Sequence, residues 1–324
     1  MRKKITYRLP FVLMVVGVFI SVLPAFLLWP ASSAYGQQVS DPNFNAEVQH
    51  PAYVRSHPKV LFDEAHFNFH TLGGTYKAFA DLISNDGYRV TTNKQKFSNQ
   101  ALKGYDVLVV AGALGEQYTD NSQVPKPAFT EAECDAVRNW VQRGGGLLLL
   151  TDHEPVASGA ASLARRFGVE MSKRVVLDQS NHLANYYPAL IEYKRDNHLL
   201  ADTPIIDGRN SAERINNVLI FSGQSLSVPA GSVAFLKLAD TAYEKLPSGE
   251  KVSAGGRAQA VAIKYGKGRV VVTADAGMLS AQLVTEDVTG KGDIQTHPWG
   301  MNLPGNDNRQ LTLNIMHWLS GLLK

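Results

Sequence analysis

Gly144-Gly145-Gly146-Leu147-Leu148-Leu149-Leu150-Thr151-Asp152-His153-Glu154-Pro155 is the stretch on which the fold turns. The leucines read as a buried strand, and the chain passes from them straight into three ionisable residues. In an open parallel sheet the carboxyl edge of the strands is where ligands bind, so this switch in polarity marks Asp152 and His153 as candidate site residues. The competing role for an Asp-His pair is a structural turn. Ser158, Gly159 and Ala160 follow and open a predicted helix, where small residues let an anionic or hydroxyl group approach the N-terminus.

Upstream, Thr130 and Glu133 spell a capping box, and Phe129 with Cys134 fits a hydrophobic staple. Cys134, Val137 and Val141 then share one helical face, and Gly144 is placed to end the helix. Before that lie the strand Asp106–Val110, the strand Tyr88–Thr91, and a helix with Tyr76, Phe79, Ala80 and Ile83 at helical spacing. The first strand, Lys59–Phe62, runs into Asp63. Downstream, 175–257 is irregular with strand-like pieces. Ala258–Tyr265 and Arg269–Ala274 flank a Gly-Lys-Gly turn as a hairpin, and Leu311, Ile315, Trp318, Leu319 and Leu322 share a final helical face. This alternation predicts an α/β, flavodoxin-like, mainly parallel sheet with helices on both faces over 58–324, with the irregular β-rich insertion at 175–257.

Asp275 follows its strand as Asp152 follows the leucines. If that strand joins the sheet in parallel, Asp63, Asp152 and Asp275 share one edge, with helix capping as the alternative. Asp63-Glu64-Ala65-His66 spells a helicase signature, but no Gly-Lys-Ser or Gly-Lys-Thr exists to form the phosphate loop that signature requires. Continued to Asn68 and His70, the cluster offers two carboxylates and two imidazoles. It reads as a ligand-contacting group, as a helix-capping turn, or as a divalent-metal site with His66 and His70 as ligands. Glu64 or Asp152 is then the candidate base, with His153 as candidate acid. Asp63, Glu64, His66, Asp152, His153 and Asp275 are expected to line one pocket. Asn302, with His297, Asp307 and Asn308, lies in a Gly/Pro/Asn stretch that reads as a lid, a wall or a solvated loop. His182, His198 and His317 read as structural.

The single cysteine, Cys134, excludes intramolecular disulfides and thiolate metal clusters, and its place inside a helix argues against a nucleophile. Of 324 residues, 32 are Lys or Arg and 29 Asp or Glu. Arg2, Lys3, Lys4 and Arg8 lie in the acid-free first 36 positions, so 32 less these four leaves 28 against 29. The body has no basic footprint for nucleic acid. Residues 1–8 are basic, Pro10–Trp29 is almost wholly apolar, and small residues follow to Gly36. Residues 1–36 are therefore expected to be a signal peptide or an uncleaved membrane anchor, and the body is expected outside the cytoplasm, secreted or periplasmic. Pro24 and the small-residue exit favour cleavage. Residues 37–57 lack a period and read as a linker.

The strand order, the GGGLLLLTDH strand and the GKGRVVVTADAGMLS…NDNRQLTLNIMHWLSG pattern together resemble secreted or membrane-linked class I glutamine amidotransferase-like domains. These are distantly similar to trehalose-utilisation-type proteins and gliding-motility auxiliaries. The resemblance spans about residues 58–323 and implies a flavodoxin-like fold. Amidotransferases carry their nucleophilic cysteine after the strand that here reads LLLLT. Asp152-His153 stands there instead, which argues against glutaminase activity. The expectation is a ligand-binding or accessory protein taking a small molecule or envelope component. The alternatives are a metal-assisted hydrolase and a structural module.

Overall fold

The computed structural model describes residues 37–117, 126–184, 186–287 and 292–324; the leader lies outside them. In chain order the elements are β1 (Gln37–Ser40), β2 (Lys59–Asp63), α1 (Lys77–Asn85), β3 (Arg89–Asn93), β4 (Val107–Ala111), α2 (Glu131–Gln142) and β5 (Gly146–Leu150). Then come α3 (Val156–Arg165), β6 (Val176–Leu177), β7 (Leu190–Lys194), α4 (Pro204–Asp207), β8 (Asn217–Phe221), β9 (Val233–Lys237), β10 (Tyr243–Lys245) and β11 (Lys251–Ser253). The last are β12 (Ala258–Tyr265), β13 (Gly268–Thr273), β14 (Ala281–Asp287), β15 (Ile294–Gly300) and α5 (Asn308–Leu319).

A seven-stranded sheet in the order β3-β2-β4-β5-β13-β12-β9 forms the centre. The first five strands run parallel, and β12 alone is reversed between β13 and β9. The fold is thus the expected α/β, parallel-rich sheet with helices on both faces. The four leucines of β5 explain why the strand is apolar throughout. Leu148 and Leu150 enter one core with Phe79, Leu311, Ile315 and Trp318, while Leu147 and Leu149 enter the other with Cys134, Val137 and Leu163. A strand buried on both faces needs apolar residues at every position rather than every second one. The Thr130 capping box forms as expected and starts α2.

Two departures bear on the site. Residues 37–57 do not form a free linker: β1 pairs with β14, and Phe44, Ala46 and Val48 pack against Leu82, Met301 and Leu313. The segment lacked a period because its apolar residues dock singly onto several elements. Ala281–Asp287 and Ile294–Gly300 pair as the antiparallel β14 and β15, which with β1 make a separate three-stranded sheet beside the carboxyl edge of the central one. His297 therefore lies in a strand, not a loop. Within the 175–257 insertion, β9 joins the central sheet, β7–β8 form a pair, and β6 joins β10 and β11.

Candidate functional site

A cavity of about 220 Å³ opens at the carboxyl edge of the sheet. Leu150 on β5 and Thr273 on β13 are register partners, so Asp152 and Asp275, each two residues further on, leave adjacent parallel strands side by side. Both line the cavity, with His153 and Glu154 from the same turn as Asp152. The loop after β2 contributes Phe69 and His70, β8 ends there with Phe221 and Ser222, and Gln282, Val284 and Trp299 come from the β14–β15 hairpin.

Asp275 accepts hydrogen bonds from the Phe221 N–H (2.7 Å) and the Gly277 N–H (2.6 Å). It therefore holds the turn that follows it without capping a helix, since the short helix at Gly277–Leu279 has Ala276 at its N-cap and no side-chain cap bond, and it also lines the cavity. The Asp152 carboxylate accepts from the His153 N–H at 2.7 Å. Burial outweighs these donors and pushes Asp152 up to about 7. Burial, then the charge of Asp152, pushes Asp275 well above the carboxylate range. Neighbouring carboxyls in a cavity, one of them buried and the other a quarter exposed, do not both ionise readily, so the pair holds at least one proton near neutral pH. Burial pushes the His70 imidazole down to about 3, and its Nδ1 is held by the Thr75 hydroxyl at 2.7 Å. His153 is also pushed down by burial, so both pocket imidazoles are neutral.

The apolar wall is built by Trp299 and Phe221, with ring centroids 4.6 Å apart. A Cβ at Gly277 would stand 2.8 Å from Trp299 Nε1, so glycine there lets the indole close on the Asp275 turn. Ser222, at φ 65°, holds a left-handed conformation that costs a non-glycine residue energy, and it does so in the pocket wall. Phe221, Ser222, Gln282 and Trp299 were missed by sequence reasoning. They carry no motif, and they meet Asp152 only through the tertiary placement of β8 and the hairpin.

Of the Asp63 cluster only His70 reaches this pocket; Asp63, Glu64 and His66 do not line it. The loop after β2 folds back over the strand ends, with the Phe69 N–H on the Gly112 carbonyl and the Leu114 N–H on the His66 carbonyl. Asp63 is fully buried and accepts from His66 Nδ1 (2.8 Å), Asn68 (3.1 Å) and Asn93 (2.9 Å). The other ring nitrogen of His66 meets Glu133 at 2.9 Å. Burial acts to lower the His66 pKa, but Asp63 and Glu133 together outweigh it and raise it, while Glu133 is lowered in return by His66 and Thr130. His66 is thus a cation clamped between two carboxylates, with both ring nitrogens used, and has no lone pair for a metal. The metal reading of His66 with His70 fails on this chemistry. Among the described residues no group of three or more His, Cys, Asp or Glu is arranged to hold a metal ion. Glu64 also points elsewhere: it accepts from the Leu72 N–H (2.8 Å) and pairs with Lys94 (2.6 Å), so it is not the base of this pocket.

Ser158 and Gly159 lie inside α3, which starts at Val156 behind Pro155, rather than at its opening. Ser158 donates to Glu154 (2.6 Å) and accepts from Lys173 (2.8 Å). A Cβ on Gly159 would stand 2.1 Å from the Ala113 carbonyl oxygen, so this glycine serves the packing of α3 on the loop after β4, not ligand approach. Asn302 ties Asp41 to the Gln282 carbonyl, both at 2.9 Å, and holds the hairpin instead of lining the cavity. Asp307 and Asn308 likewise fasten the start of β8 to α5. His317 is buried and paired with Asp86 at 2.7 Å. Cys134 is buried, and burial pushes its thiol up.

No protein-family model matches the chain, and no curated protein does. Among solved structures, the mmIFT52 N-terminal domain is similar with a TM-score of 0.55 at 17% identity, over 81% of this chain and 97% of that domain. A GMP synthase-like protein of Thermoplasma acidophilum has a TM-score of 0.40 at 12% identity, over 83% of this chain and 96% of its own. A ThuA-like protein of Bacteroides uniformis has a TM-score of 0.38 at 11% identity, over 86% and 95%. Likeness at these identities concerns the fold alone.

Proposed function

We propose that the chain is an extracytoplasmic ligand-binding or accessory protein that takes a small molecule in the pocket at the carboxyl edge of its sheet. The observation that supports this most is the meeting of Asp152 and Asp275 with an aromatic wall in one cavity. A concave site with apolar walls and a few convergent polar groups of shifted pKa is what small-ligand sites share. About 220 Å³ lies below the range for drug-sized ligands and suits a small one. The basic and apolar composition of residues 1–36 supports export. A panel of small molecules screened by thermal shift against the native protein and Trp299→Ala tests the pocket. Hits that the variant loses support it; an absence of hits, or hits the variant keeps, contradict it.

A hydrolase is the second reading. Two carboxyls holding a proton between them are suited to acid–base chemistry, and His70 beside them is a neutral imidazole. Recovery of a bound molecule unchanged favours the binding protein, and its turnover favours the hydrolase.

A further inference from the structure

The charged groups that line the pocket are all carboxyls: Asp152, Glu154 and Asp275. Asp152 and Asp275 are acceptors when ionised, and no lysine or arginine is among the described lining residues. Gln282 is buried, with Nε2 and Oε1 distinguished by their neighbours. Ser280 donates its hydroxyl proton to the Gly277 carbonyl at 2.7 Å, so it accepts from Gln282 Nε2 at 2.6 Å. Gln282 Oε1 is left buried without a donor, and so is Glu154 Oε2 in the same lining. Buried acceptors without donors are costly, and a ligand that supplies N–H groups removes that cost. An anionic ligand would meet carboxyls and no cationic side chain among the described lining residues, the donors there being neutral ones: the Gln38 amide, the Ser222 hydroxyl, the Trp299 indole N–H and the imidazoles. The Trp299–Phe221 wall offers π faces that attract a cation and shelter an apolar body.

We infer that the ligand of this pocket is a small organic ammonium ion, a protonated primary amine on an apolar body, received by Asp152, Asp275 and Gln282. This rests on the pocket being a ligand site, as proposed above. The charged and titratable groups facing Asp152 are Asp275 at the end of β13, His153 and Glu154 in its own turn, His70 in the loop after β2, and Tyr76 ahead of α1. Lys173, in the loop before β6, is 3.6 Å from Glu154 and hydrogen-bonded to Ser158. An ammonium ion binds the ionised pair, so binding near neutral pH displaces a proton from it. Affinity therefore rises as pH rises through about 7.

Benzylammonium and its neutral isostere benzyl alcohol separate the possibilities, with the Trp299 indole N–H resonance, assigned through Trp299→Phe, as readout. Benzylammonium is expected to bind at least tenfold tighter than benzyl alcohol at pH 8. It should tighten about tenfold from pH 6 to pH 8, as follows from ionisation of one group near 7, and weaken at least tenfold in Asp152→Asn. Gln282→Met, which removes an acceptor without removing charge, is expected to weaken it severalfold while keeping the pH dependence. Equal binding of the two compounds, or tighter binding of the alcohol, overturns the ammonium assignment and leaves the pocket as a ligand site. No shift of Trp299 with either compound overturns the assignment as well, and the panel with Trp299→Ala then decides whether the pocket binds anything.

Discussion

Asp152 and Asp275 each stand two residues beyond a pair of register partners, Leu150 and Thr273, on adjacent parallel strands. Two acids 123 positions apart in sequence are thereby set side by side at one sheet edge, in a turn each, against the same cavity. Burial, not helix capping, dominates their electrostatics.

Stability should depend on pH through this pair. Asp152 is raised from 3.8 to about 7, so between those values the folded protein holds a proton that the unfolded chain has released. The resulting stability is fully present below about pH 4 and is lost as pH rises through about 7. Asp152→Asn removes the dependence. Chemical denaturation should find the variant more stable than the native protein by roughly 2–4 kcal/mol at pH 8, the range reflecting partial exposure of the side chain. Near pH 4 the two should be alike. A variant equally destabilised at both pH values would contradict the assignment.

The His66 clamp is expected to be structural. His66→Ala leaves Asp63 and Glu133 buried without their shared cation and should cost about 3–5 kcal/mol. Because His66 is raised, its contribution is present below about pH 6.5 and declines as pH passes its folded value. Denaturation curves at pH 6 and pH 9 should therefore differ more for the native protein than for the variant. An unchanged stability at pH 6 would be incompatible with the clamp.

His70 should stay neutral. With burial holding it at about 3, its ring proton resonances should not move between pH 8 and pH 5. A titration midpoint near 6.5 would mean that the ring stands in water.

Cys134 should be inert. It is fully buried, with the Ser162 hydroxyl 3.6 Å from Sγ. Cys134→Ala is expected to cost on the order of 1 kcal/mol and leave ligand binding intact. Rapid labelling of the native thiol would count against the packing.

Export should be visible at the N-terminus. The composition of residues 1–36 predicts cleavage near Ala34–Gly36. N-terminal sequencing of the mature protein decides it, and a soluble cytoplasmic chain that keeps Met1 would refute it.

The sheet and part of the site were legible in the sequence for one physical reason. Parallel strands are buried on both faces, so apolar runs ending in ionisable residues mark their carboxyl ends. That rule brings Asp152 and Asp275 together. It misplaces Asp63 and His66 because a strand end does not reveal whether the following loop turns toward the cleft or folds over it. Here the decision rests on Glu133, 67 positions away from His66. Glu133 was legible as a capping residue, and its spare oxygen was the only local hint of a second partner. The hairpin with Gln282 and Trp299 was not legible because Ile294–Gly300 reads IQTHPWG, with a proline and no alternation. The segment 37–57 escaped for the same reason, since its order comes from β14 and not from its own pattern.

The most direct test is a pH titration of the Asp152 and Asp275 side-chain carboxyl carbons by NMR, from pH 3 to pH 9. The shared pocket predicts a midpoint for Asp152 at about 7 and Asp275 still protonated where an ordinary aspartate is ionised, with both moving down when benzylammonium is present. Two independent midpoints near 4, unmoved by the amine, would show that the two acids face water separately and would contradict the account.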